Sequence, residues 1–173
     1  MREWINEGKN VLPMSINLSR AHLRNGEFID RLLGLAEKYD IPTSLIELEL
    51  SENVFMDDIE KLLSFIHKLK KLGYIISLDD FGAGYSSLNL LKDLPVDVLK
   101  IDSEFFRNNS DDKREKIIIE SIVEMAKKLG MTVLTEGIET EEQCTFLEGI
   151  GCDLVQGFLF AKPMPIKEFE EIL

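Results

Sequence analysis

Two hydrophobic periods alternate along this chain. Short apolar runs rich in Leu, Ile and Val alternate with longer stretches whose apolar residues recur every third or fourth position. The first pattern marks strands and the second amphipathic helices. Residues 2 to 8 read as the tail of a helix, with Trp4 and Ile5 on its apolar face and Gly8 placed to end it. Leu12 to Ser19 is a short strand with a polar end. Residues 26 to 39 form an amphipathic helix on Phe28, Ile29, Leu32, Leu33 and Ala36, closed by Ile41-Pro42. In a second strand, Leu45 to Leu50, alternation sets Glu47 and Glu49 on one face and Ile46, Leu48 and Leu50 on the other. In an isolated strand that pattern describes a solvated face. A helix over 57 to 72 ends at Gly73. A β-branched run from Ile75 then stops at Asp79-Asp80, and a loop leads into a short helix over 86 to 93, before Pro95. Val96 to Asp102 is a fourth strand, 113 to 129 a long helix ending at Gly130, and Met131 to Glu136 a fifth strand. A helix over 140 to 149, a sixth strand from Leu154 to Gln156 and a helix over 166 to 173 complete the chain.

Strict alternation of strand and helix calls for a parallel sheet covered by helices. A doubly wound open sheet and a β/α barrel both fit, and the Gly-x-Gly-x-x-Gly of a dinucleotide-binding first turn is absent. The polar residues decide between them. Asn17, Glu49, Asp79 with Asp80, Lys100, Glu136 and Gln156 stand at or near the C-terminal ends of successive strands. A barrel gathers such residues around one catalytic mouth. The expected fold is therefore α/β: a partial TIM-like (β/α) barrel with a parallel sheet, holding about six of the eight strands of a full barrel. At 173 residues, one domain over the whole chain is expected. Inner side chains such as Ile16 and Leu154 are expected to lose a packing layer, and the unpaired edges to favour a homodimer.

The candidate chemistry starts at Asp79-Asp80. One aspartate there would be an ordinary helix N-cap. Two, at the end of a buried strand and followed by Gly82-Ala-Gly84, need a partner for their charge. The strand-end set is rich in oxygen donors and contains no histidine, since His22 and His67 lie elsewhere. That favours Mg²⁺ or Mn²⁺ over zinc. Lys100 inside an apolar strand is either a snorkelling surface lysine or a carboxylate partner, and the second reading fits its face better. With 32 acidic and 20 basic residues, the net charge is −12 and no basic stripe is present. This argues against a DNA- or RNA-polymer binder, although metal ions would still let an acidic protein hold a phosphodiester. Cys144 and Cys152 match no zinc spacing and are expected to be reduced. No apolar run approaches the roughly 18 residues of a membrane span and the N-terminus has no signal-type apolar core, so a cytoplasmic protein is expected.

The run Asp79-Asp-Phe-Gly-Ala-Gly-Tyr-Ser-Ser-Leu88 closely resembles the central motif of EAL domains, bacterial phosphodiesterases that open cyclic di-GMP. Ser15-Ile-Asn-Leu-Ser19, Glu47-Leu-Glu-Leu-Ser-Glu52, Lys100-Ile-Asp102, Glu136-Gly-Ile-Glu-Thr140 and Gln156-Gly-Phe-Leu-Phe-Ala-Lys-Pro163 resemble further motifs of that family, in order. The resemblance implies hydrolysis of cyclic di-GMP to linear pGpG with Mg²⁺ or Mn²⁺. It implies Asn17 and Glu49 on one metal, Asp79 bridging two metals, Asp80 on the second, and Glu136 as ligand or general base. Lys100 would orient water and stabilise charge, Gln156 would position water or phosphate, and Glu52 would brace the loop after the two aspartates. The tripeptide Glu-Ala-Leu, which supplies a first-strand metal ligand in the family, occurs nowhere in the chain. Impaired activity is expected from that lack, and a non-catalytic EAL-like nucleotide-binding or protein-interaction module is the competing expectation.

Overall fold

The computed structural model describes residues 1–51, 59–82, 88–102, 104 and 113–172. Its centre is a six-stranded sheet whose spatial order is the chain order. The strands are β1 Met14–Leu18, β2 Ile46–Ser51, β3 Ile75–Phe81, β4 Val98–Ile101, β5 Thr132–Thr135 and β6 Leu154–Val155. Every neighbouring pair is parallel. The helices are α1 Arg2–Asn6, α2 Arg20–Arg24, α3 Phe28–Lys38, α4 Ile59–Lys71, α5 Leu88–Asp93, α6 Lys113–Lys128, α7 Glu141–Gly149 and α8 Ile166–Phe169. Sequential parallel pairing is the winding of a β/α barrel. The sheet is not closed, so β1 and β6 are both edges.

Alternation gives the sheet two unlike faces. One face carries Leu48, Leu50, Ile76, Leu78, Leu99, Ile101 and Val133, all buried. Helices cover it with stripes spaced for one helical face: Leu62, Ile66 and Leu69 on α4, and Ile119, Val123 and Ala126 on α6. Each fully buried Leu or Ile contributes roughly 1.5–3 kcal/mol, so this layer holds the sheet together. The helix stops expected at Gly73 and Gly130 are present, with φ of 87° and 79°. Only glycine adopts that backbone at little cost. Thr140 and Gln143 form a capping box that starts α7.

Several expected boundaries move. The short helix α2 precedes α3, and a 3-10 turn over Thr43–Leu45 leads into β2. The strand expected over Val96 to Asp102 is confined to four residues, and the last helix to Ile166–Phe169. Ile16 and Leu154 do not share an inner face. The register pairs Ile16 with Leu48, on the helix-covered face, and Leu154 with Leu134, on the opposite one. Both are exposed because each lies on an edge strand.

The two ends of the open sheet meet through helices. Trp4 of α1 is buried, its ring 5.8 Å from that of Phe169, and its Nε1 donates to Glu170 Oε1 at 2.7 Å. Arg2 pairs with Asp40, beyond α3, at 3.0 Å. The element before the first strand thus packs on the element after the last.

Candidate active site

Parallel register assembles the site. Asn17 pairs with Glu49, Glu49 with Ser77, and Ser77 with Val98. Asp79 and Lys100, each two positions further on, therefore share their face. Glu136 and Gln156 follow the last residues of β5 and β6, where the ladder continues. The Glu136 N–H donates to Ile101 O at 3.0 Å and the Gln156 N–H to Thr135 O at 2.8 Å. Six of the expected site residues thus lie at the C-terminal ends of six consecutive strands. Glu52 and residues 83–87 of the expected loop fall outside the described residues.

Lys100 is the centre of this mouth. Its side chain is only 6 % exposed. Its Nζ donates to Glu49 Oε1, lies 2.5 Å from Glu136 Oε1 and 3.6 Å from Asp79 Oδ1. The three carboxylates come from β2, from the end of β5 and from β3. Burial alone would lower the lysine pKa, but hydrogen bonds to Glu136 and Glu49 and the nearby Asp79 charge raise it well above the ordinary value. Lys100 is a permanent cation, not a proton acceptor. Glu47, one layer below Glu49, is buried too, and among the described residues its Oε1 has no hydrogen-bond partner, like the Ser77 hydroxyl. The polar face of β2 is thus buried, not solvated.

A β-bulge accounts for the adjacent aspartates. Regular alternation would turn them to opposite faces. Leu78 pairs with Leu99 but Phe81 pairs with Ile101, so β3 has one residue more than β4 across this interval. Asp80 takes up the excess with φ of 55°, in the left-handed region. Phe81 is thereby carried to the buried core face. Asp79 Oδ1 accepts the Asp80 N–H at 3.0 Å. The Asp80 carboxyl is pushed up to about 6 by partial loss of solvent, by the Asp79 charge, by a hydrogen bond with Asp102, and by the Asp102 and Glu136 charges. Asp102, which strand alternation sets on the same face as Lys100, therefore belongs to the mouth.

Among the described residues, no three acidic, histidine or cysteine side chains converge as a ready-made metal cage. Glu49 and Glu136 converge on the ammonium of Lys100 instead. The donor chemistry nevertheless fits a hard divalent cation: Asn17, Glu49, Asp79, Asp80 and Glu136 offer only oxygen atoms of the preferred kind. The negative charges of Asp79, Asp102 and Glu136 that face Asp80 are what a bound cation would offset.

A parallel β/α sheet with an acidic, lysine-centred mouth at its strand ends defines a barrel-type α/β domain with a candidate active site at its C-terminal face. The chain belongs to the EAL domain family, whose pattern it matches over residues 1–163. It is 36% identical over 166 residues to the cyclic di-GMP phosphodiesterase NbdA of Pseudomonas aeruginosa, covering 96% of this chain and 21% of that protein. The chain thus spans about a fifth of the length of that relative. Its fold superposes on the PaMucR phosphodiesterase in complex with c-di-GMP, with a TM-score of 0.90 and 35% identity over 98% of this chain and 68% of the other. It also matches BlrP1 of Klebsiella pneumoniae, solved as a manganese and cyclic di-GMP complex, with a TM-score of 0.84 and 28% identity over 94% of this chain and 42% of that one.

Proposed function

We propose that this chain is an EAL-type phosphodiesterase domain, one domain over residues 1–173, that hydrolyses cyclic di-GMP to linear pGpG with Mg²⁺ or Mn²⁺. The observation that carries the reading is the buried Lys100 ammonium held by Glu49, Asp79 and Glu136. A non-catalytic interaction module has no need of that arrangement, since a buried charge cluster is weak as a stabilising device. Asn17, Glu49, Asp79, Asp80 and Glu136 would hold the cation. Bound there, it supplies positive charge to the phosphodiester and lowers the pKa of water.

The chain's own groups do the rest. Lys100, fixed in its charged form, orients water and stabilises charge developing on the phosphate. Glu136, more exposed than Glu49, is the carboxylate available to accept a proton from water. Gln156, exposed at the end of β6, positions water or phosphate by hydrogen bonding. Glu52 is assigned to bracing the loop after Asp80. Because Glu-Ala-Leu does not occur in the sequence, these residues alone are expected to turn over slowly. We assign the domain to the cytoplasm, where no membrane span is needed; among the described residues, no helix is long and apolar enough to cross a membrane.

Calorimetric titration of Mn²⁺ into wild type and Asp79→Asn tests the site. The variant is expected to bind at least about tenfold more weakly, the scale on which ligand-shell changes act. Equal affinities would rule the site out. Turnover of cyclic di-GMP by this chain, beside a longer chain that includes a Glu-Ala-Leu strand, then tests the reaction.

A further inference from the structure

The strand pairs β3/β4 and β5/β6 are built to one plan. The same four residues, Lys-Lys-Leu-Gly, straddle the C-terminal ends of α4, as Lys70 to Gly73, and of α6, as Lys127 to Gly130. At a nearly constant offset the chain then repeats Ile76 as Val133, Asp79 as Glu136, Asp97 as Asp153 and Lys100 as Gln156. The contacts repeat with the residues. Lys70 Nζ lies 2.6 Å from Asp97 Oδ1, while Asp97 Oδ2 accepts the Ile76 N–H at 3.0 Å. Lys127 Nζ lies 3.0 Å from Asp153 Oδ1, while Asp153 Oδ2 accepts the Val133 N–H at 2.9 Å. The backbone completes each latch. The Asp97 N–H donates to Ile76 O at 2.8 Å, and the Asp153 N–H to Val133 O at 3.2 Å. One aspartate thus holds both backbone groups of one residue in the neighbouring strand.

We propose that Asp97 and Asp153 are positioning residues that set the register of the two strand pairs and thereby place Asp79 beside Lys100 and Glu136 beside Gln156. This rests on the functional reading above. The same number of residues separates each latch from the mouth: Ile76 to Asp79, Asp97 to Lys100, Val133 to Glu136 and Asp153 to Gln156. A slip of one residue would move Lys100 by about 3.3 Å along its strand and turn it to the other face. The lysines play a lesser part. Both pairs are partly exposed, and such pairs contribute at most about 1 kcal/mol. The latch to the backbone N–H is what specifies register.

The test uses the whole chain, with Mn²⁺ calorimetry and amide hydrogen exchange on four variants. Asp97→Ala is expected to lower Mn²⁺ affinity by about tenfold or more, as loss of an outer support to a metal ligand does. Asp97→Asn, which keeps an acceptor for the Ile76 N–H, is expected to recover most of it. Lys70→Met is expected to stay within about twofold of wild type while lowering thermal stability slightly. Asp153→Ala is expected to speed exchange at Val133 without affecting Ile76, and Asp97→Ala the reverse. Folded Asp97→Ala with wild-type affinity and unchanged Ile76 exchange overturns the proposal. So does Lys70→Met with a loss equal to that of Asp97→Ala. If wild type itself binds no Mn²⁺, the metal-site reading fails, and exchange alone decides the register proposal. Acceleration confined to the latched residue supports it, and uniform acceleration through all strands overturns it. Should Asp97→Ala not fold, Asp153→Ala is judged by the same criteria, with exchange read at Val133.

Discussion

Asp80 combines three unusual properties: a left-handed backbone, a position in a bulge and a carboxyl raised to about 6. Its folded pKa lies above the roughly 3.9 of an unfolded aspartate. Below about pH 4 the group is neutral in both states and carries no penalty. As pH rises through 6, it ionises against Asp79, Asp102 and Glu136, and the stability tied to its neutral form is lost. Asp80→Asn in metal-free protein is therefore expected to raise the melting temperature at pH 7.5 and to leave it unchanged at pH 3.5. Solvent screening at this exposed residue limits the gain to about 1 kcal/mol or less. A thermal melt at the two pH values checks it, and a loss at pH 7.5 would contradict the repulsion. Lys100 differs in kind. Removing it would leave Glu49 buried and unpaired, a cost of about 3–5 kcal/mol, so its variants confound stability with chemistry.

At the scale of elements, the segments that follow β5 and β6 are closely joined. The Ile138 N–H donates to Gln156 O at 3.0 Å, and the Leu159 N–H to Ile138 O at 3.0 Å. Gly157 sits between these bonds, and a Cβ there would overlap the backbone of Ile138. The requirement is for space, because the obstacle is main chain and cannot rotate away. Gly157→Ala is expected to cost about 2–3 kcal/mol, the upper part of the range for overpacked sites, and to displace Gln156. Urea denaturation measures the cost, and a change below about 0.5 kcal/mol, the size of an ordinary surface substitution, would show that the two segments can separate freely.

For the whole molecule, the open sheet leaves apolar side chains uncovered at both edges. Met14 and Ile16 on β1 are 48% and 47% exposed, Leu154 on β6 is 52% exposed, and Phe158 and Phe160 follow it. Unpaired strands flanked by apolar residues recruit further strands. A second copy of this chain is the proposed partner, since each copy presents both edges. Light scattering across a dilution series is expected to give a dimer mass at the highest concentrations. A cooperatively folded monomer throughout would refute it.

The alternation of strand and helix, the parallel sheet and the strand-end positions of Asn17, Glu49, Asp79, Lys100, Glu136 and Gln156 follow from the sequence by itself. They depend on local periodicity and on residues whose charge no buried strand tolerates without a partner. What those charges do is decided by tertiary structure. Alternation separates Glu47 and Glu49 from Leu48, but it cannot say whether their face meets water or is buried. Only sheet winding brings Glu49 and Glu136 to the same Lys100 ammonium from distant parts of the chain. The bulge that re-aims Asp80 depends on the spacing of β4, so nothing in β3 alone reveals it. The faces of Ile16 and Leu154 were likewise set by register, a relation between strands. Periodicity within one segment encodes which residues share a face, and pairing between segments determines what that face meets.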